Sequence, residues 1–237
     1  MDIRVRANEL KEQRGIVLAA ADLEFGDLIK VRNLTVKEGK NGLFVSMPSY
    51  ATSKVDENGK TVFKDVFRPI NAEASKKLTD AVLESLENGT SITIKDDEKK
   101  LIPDIRARIN PLDESKGSAL AIGSLYLNED FVVDDILIRK GMNGEEFVSY
   151  PSYKTNEKDE YGNTVFKDFV YPKDREAKDK ITKVVMSAFE EAKKKQVSKE
   201  NTPERKGIKD KLKEGEEKSR ASAKTAKSIE KKKEAVL

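Results

Sequence analysis

The chain contains no cysteine and no histidine in 237 residues. Without cysteine there can be no disulfide and no thiolate metal site. Without histidine the commonest general base and the commonest metal ligand are missing too, so catalysis would have to run on carboxylates, Lys, Tyr or Ser. Neither a GxxxxGK[ST] phosphate loop nor a glycine-rich dinucleotide fingerprint occurs. No apolar run reaches membrane-spanning length, and the opening MDIRVRANEL lacks the basic-then-apolar form of a signal peptide. The expectation is a cytoplasmic protein that works without cofactors, metals or membranes and is not an enzyme. Asp56-Glu57-Asn58-Gly59 touches the calcium-loop pattern but lacks its ligand series and reads as a turn. Asp65 and Asp168, each following a lysine, read as strand-end residues rather than as a catalytic pair.

Charge is unevenly spread. From Lys193 to the end there are 16 basic and 8 acidic residues, a net +8, whereas the preceding 192 residues carry 30 basic and 35 acidic, a net −5. A basic tail on a mildly acidic body suits an anionic partner met through the tail, or a tail that only solubilises. Apolar content collapses from about Ser198, which reads as a disordered or marginally helical segment.

The body is a tandem repeat. Asp2-Ile3-Arg4-Val5-Arg6 returns as Asp104-Ile105-Arg106-Ala107-Arg108, and NGLFVSMPSY from Asn41 returns as NGEEFVSYPSY from Asn143. Phe44 to Pro69 matches Phe147 to Pro172 without a gap at 16 of 26 positions, where roughly one or two matches would arise by chance. The offset is 102 up to Asn41 and 103 after it, so the second copy gained one residue inside that phrase. The expected organisation is a first copy at 1–89, a linker at 90–103, a second copy at 104–195 and a Lys/Glu-rich tail at 196–237.

Each copy is β first and helix last. Ile3, Val5 and Ala7 alternate with Arg4, Arg6 and Asn8, as in a half-buried strand. A strand-like apolar run follows at 15–21, and the apolar parity of 28–36 flips near Asn33, which implies a bulge or a bend. Gly39 and Asn41-Gly42 mark a hairpin turn into Leu43-Phe44-Val45. Phe44, Pro48 and Phe63 read as core and turn residues. Asn71 and Asp174 are N-caps of helices whose apolar stripes are Leu78, Ala81, Val82, Ser85 and Leu86 in one copy and Ile181, Val184, Val185, Ala188 and Phe189 in the other. The fold class is therefore α+β: two tandem copies of a small antiparallel sheet with a C-terminal helix. Thr90 to Ile94 has strand character and could dock on either copy; the charge run at 96–100 reads as exposed linker.

These phrases resemble the SpoVG family of bacterial septation and regulatory proteins. The opening Asp-Ile-Arg-Val-Arg strand, NGLFVSMPS, and Phe63-Lys64-Asp65-Val66-Phe67-Arg68-Pro69-Ile70-Asn71 running into a helix carry the resemblance, most closely in the first copy. It implies a compact antiparallel sheet with a C-terminal helix, dimer formation, and binding of DNA and RNA. It also associates specificity with the start of the helix, here Ala72, Glu73, Ala74 and Ser75, and Arg175, Glu176, Ala177 and Lys178 in the second copy. The family's usual Arg at the end of this segment is Ser75 or Lys178 here; its basic residues after Met-Pro-Ser are Tyr50-Ala51 or Tyr153-Lys154; its His before the proline is Arg68 or Tyr171. If single-copy relatives dimerise, two linked copies would form an intramolecular pseudo-dimer, with a higher oligomer possible.

Two functions compete. The first is a nucleic-acid-binding regulator, whose phosphate contacts would be drawn from Arg4, Arg6, Lys64 and Arg68 in the first copy and Arg106, Arg108, Lys154, Lys167, Lys173, Arg175 and Lys178 in the second, together with the helix-start residues above. The second is a protein-interaction or adaptor module on the same scaffold, in which Tyr50, Tyr150, Tyr153 and Phe67, if exposed, would serve as protein contacts.

Overall fold

The computed structural model describes residues 2–95, 105–113, 117–128 and 130–200. The linker run at 96–100, Asp104 and most of the tail fall outside the described residues. The chain divides into two units, Met1–Lys193 and Lys194–Leu237. Within the second unit the described residues belong to the end of a long helix.

The first copy is a meander of β1 (Ile3–Arg14), β2 (Val17–Phe25), β3 (Ile29–Gly39) and β4 (Gly42–Ser46), then a hairpin of β5 (Ser49–Val55) and β6 (Thr61–Asp65), the short β7 (Phe67–Pro69), helix α1 (Ala72–Asn88) and β8 (Ile92–Ile94). The second repeats it: β9 (Ile105–Pro111), β10 (Ala119–Leu127), β11 (Phe131–Lys140), β12 (Glu146–Ser149), the hairpin β13 (Ser152–Lys158) and β14 (Thr164–Asp168), β15 (Val170–Pro172) and α2 (Arg175–Glu200). The architecture is α+β, as expected. Among the described residues no helix is long and apolar enough to cross a membrane.

Strand alternation sets the faces. Ile3, Val5, Ala7, Leu23, Phe25, Ile29 and Val31 point to the core, while Arg4, Arg6, Asp22 and Arg32 point outward. The parity flip falls where the sequence places it. Asn33 takes φ 67, and the β2–β3 register shifts between Ala21 and Leu23. Its twin Asp135 takes φ 60. Both are residue types that tolerate the left-handed region. The gained residue also has a visible effect. β3 turns into β4 with Gly39 opposite Gly42, whereas β11 ends at Lys140 opposite Glu146. The longer loop is closed by the Gly141 amide donating to the Glu145 carbonyl at 2.8 Å.

Both helices start on the predicted caps: Asn71 Oδ1 accepts from the Ala74 amide at 2.7 Å, and Asp174 Oδ1 from the Ala177 amide at 2.8 Å. α1 ends at Gly89 in the left-handed conformation, φ 64. It packs on β1, β8, β4 and β7. β8 adds to the free edge of β1, Ile3 opposite Ile94 and Val5 opposite Ile92. Where that ladder stops, the Ala7 amide donates to Ser85 Oγ at 3.0 Å, and the Ser85 hydroxyl in turn donates to the Thr90 carbonyl at 2.6 Å.

The two copies exchange a strand. β7 of the first copy pairs antiparallel with β11 of the second, Phe67 opposite Val133, and β15 of the second pairs with β3 of the first, Val170 opposite Val31. Each exchange is anchored by an equivalent bond, Asp134 amide to Val66 carbonyl and Arg32 amide to Phe169 carbonyl, both 2.8 Å. The exchanged ends dock on the partner copy's turn. The Ile70 amide donates to the Asp130 carbonyl at 2.7 Å, the Lys173 amide donates to the Leu28 carbonyl at 3.0 Å, and Lys173 pairs with Asp27. Beneath lies one shared core in which Phe25, Phe67 and Phe131 meet with centroids 5.1–5.6 Å apart. The expected intramolecular pseudo-dimer is thus realised by strand exchange.

Two expectations follow. Ser85→Ala strands the buried Ala7 amide and should cost about 1–3 kcal/mol of unfolding free energy, read as a lower midpoint at unchanged slope in urea titration. Residues 1–95 alone leave β7 and the 29–31 edge of β3 without their exchange partners. That fragment should form a homodimer by the same exchange, and a stably folded monomer in sedimentation would contradict this.

Candidate nucleic-acid interface

The exchange regroups the cations that the sequence suggested. On the second sheet a cross-strand row runs Arg106, Tyr126, Val132, Arg68, so an arginine from the first copy completes the outer face of the second. Arg108 stands two residues along, opposite Ser124. On the first sheet the equivalent row is Arg4, Glu24, Lys30, Tyr171, completed by a tyrosine from the second copy. Arg6 lies opposite Asp22, and the Arg32 guanidinium sits 4.6 Å above the Tyr171 ring.

Electrostatics separate these cations. Lys30 holds Glu24 at 2.6 Å; that hydrogen bond, with smaller pulls from Lys173 and Arg4, lowers the Glu24 pKa. Burial pushes the Asp22 carboxyl up despite the pull of Arg32. Arg68 meets Asp134 at 3.6 Å. Lys64 is spent on Asp135 at 2.5 Å, Lys167 on Glu157 at 2.6 Å, and Lys173 on Asp27. Among the described residues Arg6, Arg108, Lys154, Arg175 and Lys178 make no ion pair.

The helix starts divide likewise. Ala72 is exposed and Ser75 half-buried; Glu73 pairs with Lys77 at 2.8 Å and Glu176 with Lys180 at 2.8 Å. Ala74 and Ala177 are 5% and 2% exposed. Their side chains pack in the core and their amides are taken by the caps, so they present nothing to a ligand. Arg175 and Lys178 border a small cavity with Asp174 and Asp179, whose carboxylates offset them.

Several aromatic readings are corrected. Phe67 is fully buried and offers no contact surface; Tyr150 is half-buried, with its hydroxyl turned to the inside. Conversely Phe44 and Phe63, read as core, are 43% and 64% exposed: Phe44 stands on β4 at the edge of the first sheet, and Phe63 on β6, whose hairpin with β5 forms a separate two-stranded sheet. Pro48 is buried, as expected. Tyr50 and Tyr153 are half-buried: the Tyr50 hydroxyl donates to Asp135 Oδ2 at 3.0 Å, and Tyr153 packs 4.6 Å from Phe169. Sequence reasoning missed Lys30, Arg32, Lys37 and Tyr126, although the outward parity of β2–β3 and β10 marks all four.

The SpoVG family model matches residues 1–88 and again 102–191. The chain belongs to the SpoVG family. Its relatives include proteins named septation protein SpoVG: one from Clostridium beijerinckii is 40% identical over 92 residues, 38% of this chain and 89% of the relative; one from Clostridioides difficile is 42% identical over 84 residues, 35% and 82%; and one from Archaeoglobus fulgidus is 41% identical over 73 residues, 31% and 79%. Each of these relatives is thus matched for most of its length by about one copy, and this family member carries two. No solved structure gives a significant match.

The strand-end carboxylates yield a pH test. Burial raises the Asp168 pKa; burial, with the Asp168 charge adding to it, also raises that of the Tyr150 hydroxyl, which has no hydrogen-bond partner among the described residues. A carboxyl whose folded pKa is raised binds its proton more tightly folded than unfolded. Ionised Asp168 therefore opposes folding at neutral pH, and the opposition fades as pH falls through the folded pKa. Asp168→Asn should raise Tm at pH 7 and raise it less near about pH 4; an equal gain at both pH values in thermal melts would contradict this.

Proposed function

We propose that this protein is a non-catalytic regulator of the SpoVG type that binds DNA or RNA across the outer faces of its two sheets, in the cytoplasm and in the service of septation, the process in its relatives' names. The observation that carries the reading is the pair of rows completed by strand exchange. Each sets cations near a tyrosine: Arg106 is opposite Tyr126, with Arg68 one strand beyond and facing Asp134, and Lys30 and Arg32 flank Tyr171, with Glu24 between Lys30 and Arg4. Cations supply phosphate contacts and an aromatic ring supplies a platform for a base. The body as a whole is acidic, so the attraction is local to these faces, and the +8 tail adds a non-specific arm.

Anisotropy with a labelled oligonucleotide tests this. With four phosphate contacts, affinity should fall about a hundredfold between about 50 and 200 mM salt. Arg68→Ala should make the salt slope shallower by about one. Truncation after Gln196 should leave binding in place with a shallower slope. Absence of binding at low salt would remove this reading and favour an adaptor role, which the exposed hairpin residues Phe63 and Phe166, 64% and 62% exposed, support as the second reading.

A further inference from the structure

Over the outer face of β3 lies an open cavity of about 680 Å³. Its floor comes from the first copy, with Asn33, Thr35 and Lys37. Its walls are the starts of both hairpins, residues 49–51 and 152–154, which are repeat equivalents of one another. Two cations line it, Lys37 and Lys154, and no carboxylate does. Lys37 Nζ donates one proton to Ser46 Oγ at 3.1 Å, and Lys154 is exposed and has no partner among the described residues. Asp65, the carboxylate that feels Lys37, is outside the lining.

The repeat supplies an internal control. At the equivalent place on the second copy, Asp135 stands where the first has Asn33. Both Asp135 oxygens are occupied from across the exchange, by the Tyr50 hydroxyl at 3.0 Å and Lys64 Nζ at 2.5 Å. Tyr150 stands there in place of Met47. On the first copy's side the corresponding donors are engaged elsewhere: Tyr153 packs on Phe169, and Lys167 pairs with Glu157 at 2.6 Å. A neutral amide at position 33 offers no charge to recruit them. The two sides therefore differ: the second copy's side holds the Asp135 carboxylate, and Ala51 stands in the first hairpin where the second has Lys154, while the first copy's side keeps two cations facing a polar, open space.

We propose that this cavity is a phosphate site, present on the first copy's side alone, in which Lys37 and Lys154 hold a backbone phosphate of a nucleic-acid strand. That the phosphate belongs to nucleic acid rests on the proposed function; that the site takes phosphate rests on the cavity. Phe166 is the cross-strand neighbour of Lys154 and is 62% exposed, which places a ring beside the held phosphate for the adjoining base. Such a site favours a single strand, whose bases are free to stack.

The test uses the full chain. Inorganic phosphate is titrated while amide NMR shifts are followed, and a labelled single-stranded oligonucleotide is titrated by anisotropy at low salt. The variants are Lys154→Ala and Asn33→Asp, the latter installing the carboxylate found in the twin at a φ that aspartate already adopts there. Phosphate should shift the amides of Asn33, Lys37 and Lys154, and either variant should abolish those shifts. Either should also weaken oligonucleotide binding about tenfold, with a salt slope shallower by about one. Oligonucleotide binding that neither variant changes overturns the site and leaves the proposed function standing. A phosphate response lost in the variants, with no oligonucleotide bound, keeps the site for a smaller phosphate compound and overturns the proposed function. No response in either titration overturns both. Should Asn33→Asp fail to fold by circular dichroism, Lys154→Ala decides, since its exposed side chain supports no core.

Discussion

Everything in the body depends on the reciprocal pairing of β7 with β11 and β15 with β3. These strands are three residues long and could not stand alone. Each nonetheless carries a fully buried residue, Phe67 or Val170, into the core beneath the other copy's sheet. Phe67 stacks on Phe131 of the second copy and meets Phe25 of its own. Neither copy owns a closed core, so folding and association are one event, and residues far apart in the chain are brought onto one face. Arg68 functions as part of the second sheet, and Tyr171 as part of the first.

Linkage changes what divergence can do. In a homodimer every substitution appears twice, on both sides of the axis. In one chain, Asp135 can accept Tyr50 and Lys64 while Asn33 accepts neither Tyr153 nor Lys167. Burying or pairing a charge costs desolvation that only good partners offset. Asp135 has such partners, and the side without the carboxylate needs none. The acidic residues of the two outer faces diverged as well. Glu24 and Asp22 on the first sheet are Tyr126 and Ser124 on the second, so one face is a mixed-charge lattice and the other an arginine–tyrosine surface with the Asp134 carboxylate facing Arg68.

Much of the fold was legible in the sequence because it is local. Alternation marked β1, caps at Asn71 and Asp174 marked both helices, and the parity flip at Asn33 marked the bulge, since each is a property of a few consecutive residues. The repeat itself implied two like halves. Exposure was less legible. Phe63 has the composition of a core strand, yet its hairpin stands apart from the sheets and leaves the ring in solvent. Phe67, four residues on, has the same composition and is buried, because the chain there crosses to the other copy. No local pattern distinguishes the two.

The candidate site was legible in kind but not in grouping. Arg4, Arg6, Arg106 and Arg108 could be placed on outward faces from alternation alone. That Lys64 and Lys173 are consumed by Asp135 and Asp27 depends on contacts spanning 71 and 146 residues, which spacing cannot show. Once those pairs are removed, the cations that remain sort by surroundings rather than by copy. Arg175 and Lys178 share their small cavity with two aspartates, while Lys154 shares a larger one with a second lysine. A phosphate gains from a site in proportion to the charge left uncompensated there, so the helix start of the second copy, though richer in cations by sequence, is the weaker of the two.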